Sequence, residues 1–255
     1  MKALWSITKK ELLSYFTSPI AYVVIAVFTL LSGFFFYSLI SWFNMVAIQI
    51  LQNPYYYQQV NINQMVFAPL FNNLSIVLLL MLPVISMRLF SEEKKMGTEE
   101  LLLTSPISVT QIILGKYLAS LIVLLAMLVL SAIPTILTFI YGNPEPLPYF
   151  LGYLGLFLLG AAFLGLGVFW SALTENQIVS AVLTFGTLLL FWVLSWAAYS
   201  AQGLWQDVLS YLSFFEHFDN MTRGVLDTSD LSYYLSFAFF GLFLTHSVIQ
   251  FRRWR

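Results

Sequence analysis

Cysteine is missing from this 255-residue chain, which excludes disulfide frameworks, thiolate metal sites and cysteine nucleophiles. Charge is scarce too: Asp, Glu, Lys and Arg make up 9% of the residues, against about 25% in an ordinary soluble domain. The two histidines, His217 and His246, stand far apart, so no His-Glu-x-x-His zinc motif can be written. A Gly-x-x-x-x-Gly-Lys-Ser/Thr loop is absent as well. Gly115-Lys116 is followed by Tyr117 and has no upstream glycine, so the chain offers no phosphate cradle there. With 11 basic and 12 acidic residues, the net charge of −1 leaves no basic footprint for nucleic acid.

What the chain has in excess is apolar surface. Hydrophobic residues are 60% of the total and the mean hydropathy is +0.84. A soluble domain of this size buries only about three quarters of its chain area, so the sequence reads as an integral membrane protein of all-α, polytopic class. Leu12–Met87 contains 76 consecutive residues without a formal charge. At about 20 residues per span, that stretch holds two spans, about 20–43 and 69–89, around a turn-rich bend from Asn53 to Gln64. Four more apolar runs follow, at about 112–140, 149–170, 178–199 and 233–250. The expectation is one transmembrane domain over residues 1–255 with six spans.

Six spans put both termini on one side, and the charges choose the side. With the termini in the cytoplasm, ten of the eleven basic residues lie inside and only Arg223 lies outside. Glu145, Asp207, Glu216, Asp219, Asp227 and Asp230 lie outside with it. That is the positive-inside pattern. The first span is too long for a signal-peptide apolar region and no small-residue cleavage site follows it, so it is expected to be retained. Before it, Leu4, Ile7, Leu12 and Tyr15 can share one helix face, with Lys2, Lys9 and Lys10 elsewhere. This suits a helix lying on the inner membrane surface, the alternative being a frayed tail.

The most informative loop joins spans two and three, from Arg88 to Ser108. Thr98 can cap a short helix after Gly97, with Glu99 and Glu100 in the first turn where the helix dipole favours anions. Leu101-Leu102-Leu103 supplies an apolar ridge, and Pro106 ends it. A solvated loop would explain the charges but not three consecutive leucines.

Elsewhere the candidate sites are thin. Asn72, Asn73 and Ser75, in the outer half of span two, either line a pathway or bond a neighbouring helix. Glu216, His217 and Asp219 form the one metal-like cluster, read better as part of two short amphipathic helices with Leu204, Val208, Leu212 and Phe215 on one face. Gly152, Gly155, Gly160, Gly165 and Gly167 in span four allow close helix packing. The spans are nearly free of ionisable groups, which disfavours proton- or sodium-coupled transport. Lys116 is expected to snorkel to the headgroups, and His246 to be a neutral, hydrogen-bonded residue.

The run from Arg88 to Lys116, with Glu92-Glu93, Gly97-Thr98-Glu99-Glu100-Leu101-Leu102, Pro106-Ile107-Ser108 and Gly115-Lys116, resembles the cytoplasmic loop of six-helix ABC exporter permeases. Within them it is most similar to the gliding-motility and nitrous-oxide-reductase-maturation branch. A second match runs from Phe215-Glu216-His217-Phe218-Asp219-Asn220 through Arg223-Gly224-Val225-Leu226-Asp227. The resemblance covers essentially the whole chain. It implies an N-terminal surface helix, short outer helices before span six, and a coupling helix within 92–106 that docks on a separate ATP-binding subunit. The contact residues it implies are Glu92, Glu93, Lys94, Lys95, Gly97, Thr98, Glu99, Glu100, Leu101, Leu102, Thr104 and Pro106. It also implies a dimer with a second copy or a related permease, an ATP-driven exporter of the bacterial inner membrane, and ATP with magnesium held by the partner rather than this chain. An accessory extracytoplasmic protein is a further expected partner. The alternative is a membrane scaffold that recruits a cytoplasmic complex without moving a solute. An intramembrane protease with paired glutamates fits poorly. The arginine it needs four positions after Glu93 is Gly97, and no histidine lies deep in a span with an acidic partner.

Overall fold

A computed structural model describes residues 2–52, 61–99 and 107–253. Apolar side chains must be buried or face lipid, and helices are the form in which a spanning segment satisfies its own backbone. Among the described residues there are ten α-helices and no strand. They are α1 (Lys2–Thr17), α2 (Pro19–Gln52), α3 (Ala68–Ser86), α4 (Arg88–Lys95), α5 (Val109–Tyr141), α6 (Pro146–Leu173), α7 (Gln177–Ser200), α8 (Leu204–Leu212), α9 (Phe214–Thr222) and α10 (Thr228–Arg253). A π turn, Asn63–Phe67, leads into α3. Six helical stretches are long and apolar enough to cross a membrane, namely α2, the π turn with α3 and α4, α5, α6, α7 and α10. Each helix runs past its apolar stretch, most of all α2, which continues from the expected end near residue 43 to Gln52.

The bundle is built around α6, which packs against α3, α5, α7, α9 and α10. Its glycines make this close approach feasible. A Cβ on Gly241 of α10 would stand 2.5 Å from the backbone of Gly165, and one on Gly160 would meet Leu124 of α5 at 2.6 Å. Any side chain at these crossings would push helices apart, as in membrane interfaces built on small residues. The aromatic core continues beside α6: Phe163, Phe214 and Phe218 are fully buried, and the Phe163 and Phe214 rings meet edge to face at 5.3 Å. By contrast α2 and α7 leave most of their apolar surface uncovered.

The bundle has a basic and an acidic end. At one end lie α1, α4, the start of α5 and the ends of α6 and α10, with most of the basic residues. At the other, α8 and α9 differ from two helices lying outside the bundle. Gly224, just past α9, rests on Pro148 near the start of α6, whereas Phe214 at the head of α9 packs on Phe163. Fifteen helical residues separate those two positions on α6, a rise of about 22 Å. Since α8 packs on α7 and α9 on α6, the pair enters the bundle and returns. Phe214 and Phe218 cause this, because their rings are buried only by going in.

Candidate functional site

At the basic end the break between α3 and α4 falls at Met87, and Ser171 of α6 holds it. The Ser171 hydroxyl donates to the Met87 carbonyl at 2.9 Å and accepts from the amides of Phe90 and Ser91 at 2.9 and 3.1 Å. These amides open α4 and have no partner within their own helix. The far end of α4 closes with Gly97 in the left-handed region (φ 67°). There Gly97 N–H donates to Lys94 O and Thr98 N–H to Glu93 O, the Schellman pattern that glycine permits.

Ion pairs then tie α4 to α1 and α5. Lys116 of α5 is buried, with its side chain 1% exposed. Its ammonium meets Glu11 of α1 at 2.9 Å, Glu93 of α4 at 3.0 Å and the Leu89 carbonyl at 2.6 Å, under the ring of Phe90. Three acceptors satisfy the three ammonium donors. So Lys116 does not snorkel: α1 and α4 close over it and bring carboxylates from residues 105 and 23 positions away in sequence. Lys10 adds a second contact to Glu93 at 3.3 Å. Arg88 takes both oxygens of Glu92, at 3.0 and 3.2 Å, and reaches Ser18 between α1 and α2 at 3.2 Å. The bidentate fork fixes that arginine in place.

Helix α1 packs by the face its sequence suggests: Ile7 and Tyr15 are buried, Leu4 and Leu12 half-buried. Thr8 donates to the carbonyl of Gly115 at 3.1 Å, and Tyr15 to that of Ile85 at 2.8 Å. Burial, reinforced by the Glu11 carboxylate, pushes the Tyr15 phenol well above its ordinary range, so it remains a neutral donor. Lys94 donates to the carbonyl of Ala172, and Arg252 to that of Leu173 at 3.2 Å. Both cations thereby occupy the negative end of the α6 dipole.

The candidate coupling residues therefore divide. Glu92, Glu93 and Lys94 are turned inward onto Arg88, Lys116 with Lys10, and α6, so they position the segment. Lys95, Met96, Gly97 and Thr98 are exposed, and Glu99 is half-buried with Arg252 at 3.8 Å. Thr98 donates back to Glu93 O at 3.3 Å, closing α4. Glu100, Leu101, Leu102, Thr104 and Pro106 lie outside the described residues.

In α3, Ser75 is fully buried and donates to Asn72 O of its own helix at 2.6 Å. Asn72 and Asn73 are half-buried. Their amides have no hydrogen-bond partner among the described residues, beside exposed Ile76 and Leu80 on the open side of α3. His246 is half-buried and has no hydrogen-bond partner among the described residues, unlike the bonded state expected.

At the acidic end, Glu216, His217 and Asp219 do not converge. Glu216 is exposed, Asp219 pairs with Arg223 at 2.6 Å, and no metal-ligand group forms among the described residues. His217 instead closes the re-entrant turn. Its Nε2 donates to the Tyr211 carbonyl at 3.0 Å, and Nδ1 meets buried Asp230 at 2.6 Å. A carbonyl only accepts, so Nε2 carries a proton. Tyr233 and Tyr234 donate to the carbonyls of Leu212 and Phe214, each at 2.6 Å. Asp230 was readable only as an outer acid; nothing in its spacing points to His217.

No curated protein matches the sequence. The model of the ABC-2 family transporter protein matches residues 5–251, nearly the whole chain, and agrees with six helices apolar enough to span a membrane. The chain belongs to the ABC-2 family of transporter membrane proteins, and is a multi-pass permease component of an ABC transporter.

Proposed function

We propose that this chain is the permease of an ATP-driven exporter in the bacterial inner membrane, with its basic end in the cytoplasm. It works there with a separate ATP-binding subunit that carries ATP and magnesium. The observation that supports this reading best is the exposed tip Lys95-Met96-Gly97-Thr98 on an otherwise locked α4. A segment fixed on one side by Lys116, Ser171 and α6 and open on the other suits a docking point. When the ATPase pair closes, a push on this tip reaches α1 and α5 through the Lys116 ion pairs. A coupling of this kind requires contacts that differ between two states.

The pathway forms between two permease chains, because one six-span bundle packed around α6 has no wide interior. The open side of α3, with Asn72 and Asn73, is the surface we assign to it. The branch of exporters that the 88–116 and 215–227 motifs resemble leaves the cargo open.

The test is affinity purification from native membranes in mild detergent, with ATPase activity measured in the eluate. A co-purifying ATP-binding chain, lost in a Lys95→Glu, Glu99→Lys, Glu100→Lys variant that still inserts, is expected. An eluate free of nucleotide-binding chains in several detergents would overturn the reading. A bound ATPase whose activity never drives transport in vesicles would favour the scaffold.

A further inference from the structure

A long apolar groove runs between α5 and α6 at the acidic end. It encloses about 770 Å³, and its walls include Leu125, Val129 and Ile136 of α5 with Phe150 and Leu154 of α6. All five are exposed, between 38% and 65%, so the groove opens sideways to the surroundings of the spans. Its floor has no free hydrogen-bonding group. The Tyr149 and Tyr153 hydroxyls both meet Thr135 Oγ1, at 2.9 and 3.3 Å, and Tyr149 also reaches the Ala132 carbonyl. An occupant can offer such a surface only hydrocarbon.

The dimensions and lining choose among hydrocarbon occupants. From Leu125 to Phe139 the α5 wall rises about 21 Å, about two thirds of a hydrocarbon core of about 30 Å, so the groove covers the leaflet at the acidic end and reaches a little past the midplane. Helices that pair in lipid do so through small residues that let backbones approach. These walls carry large side chains around a concave slot, the shape for a flexible chain rather than a second helix. At the mouth, next to the lining residue Pro146, stands exposed Glu145. The Glu145 carboxylate has no ion-pair partner among the described residues, and Arg223, the outer base, is engaged by Asp219. The mouth therefore presents one uncompensated negative charge.

We infer that the α5–α6 groove is a lipid site that takes an acyl chain of a zwitterionic phospholipid from the outer leaflet, with the lipid's terminal ammonium at Glu145. The leaflet assignment rests on the orientation proposed above; the site itself does not. An anionic lipid brings a phosphate and no cation to the same mouth, and is the poorer ligand.

The experiment is native mass spectrometry of the full chain from detergent micelles carrying either palmitoyl-oleoyl phosphatidylethanolamine or the matching phosphatidylglycerol. The wild-type chain should retain the phosphatidylethanolamine preferentially. Ala132→Phe and, independently, Val129→Trp fill the groove and should lower retention about tenfold, equivalent to about two buried methylenes. Leu190→Phe on lipid-facing α7 should not change it. Glu145→Gln should keep the chain bound but reduce the preference between the two lipids by about 2–5-fold, as for an exposed ion pair. Equal retention in the filled and wild-type proteins overturns the site. So does a wild-type dimer that dissociates in the filled variants, which would give the groove to a second copy. No ATPase or transport enters these readouts, so failure of the exporter reading leaves them intact.

Discussion

Two breaks in the helical bundle, one at each end, are held by different chemistry. At the basic end, α3 gives way to α4 at Met87, and charges do much of the holding: Lys116 between Glu11 and Glu93, Arg88 on Glu92, Lys94 and Arg252 on the last carbonyls of α6. At the acidic end the chain turns at Ser213 inside the bundle, and hydroxyl and imidazole donors finish the job. Tyr233, Tyr234 and His217 supply hydrogens to three carbonyls around the turn. Backbone that leaves a helix away from water must find partners in the protein. Ion pairs lock separate helices to one another, whereas hydroxyls cap a turn without bringing in an uncompensated charge.

The largest effect should come from cutting the charged end. Lys116→Ala leaves Glu11 and Glu93 buried with only Lys10 nearby, a loss of about 3–5 kcal/mol. Unfolding by SDS titration in mixed micelles should register it, and Glu11→Gln with Glu93→Gln in the same background should recover part of it. If Lys116→Ala unfolds like the wild type, the two ends do not differ in the way described.

At the acidic end, His217→Ala removes a donor from the Tyr211 carbonyl and leaves Asp230 with Asn220 alone. About 2 kcal/mol is expected, typical of a hydrogen bond to a charged group. Limited proteolysis should then cut α8, none of whose residues is buried, before it cuts α9. Equal protection of both helices would mean that the turn does not depend on His217.

Tyr234→Phe tests the smallest term. It removes one donor to Phe214 O while the ring remains, at a cost of about 1 kcal/mol. A loss as large as that of Lys116→Ala would erase the comparison, since a neutral cap would then equal a buried ion-pair cluster.

Much of the architecture was legible in the chain. Six apolar runs correspond to six helices long and apolar enough to cross a membrane, because a spanning segment needs a long apolar run, although α2 continues to Gln52, past the expected end near residue 43. The span-four glycines were readable as close-packing points, and Gly165 and Gly167 do lie against α10 and α3. The candidate site was legible in part. Glu92, Glu93 and Lys94 were legible as charged residues after span two, but that they form a helix with Glu93 and Lys94 buried and Glu92 folded onto Arg88 was not visible, because the partners of the buried pair come from α1, α5 and α6.

The sequence by itself determined which six stretches are apolar enough to cross a membrane and which end is basic, since those follow from the order of apolar and charged residues along one dimension. Only the tertiary structure decided that Lys116 sits between two carboxylates, that His217 answers Asp230 rather than Glu216 and Asp219, and that α8 and α9 dip into the bundle. Those pairings are set by where helices cross and how closely glycines let them approach, and residues a hundred positions apart carry no local trace of meeting.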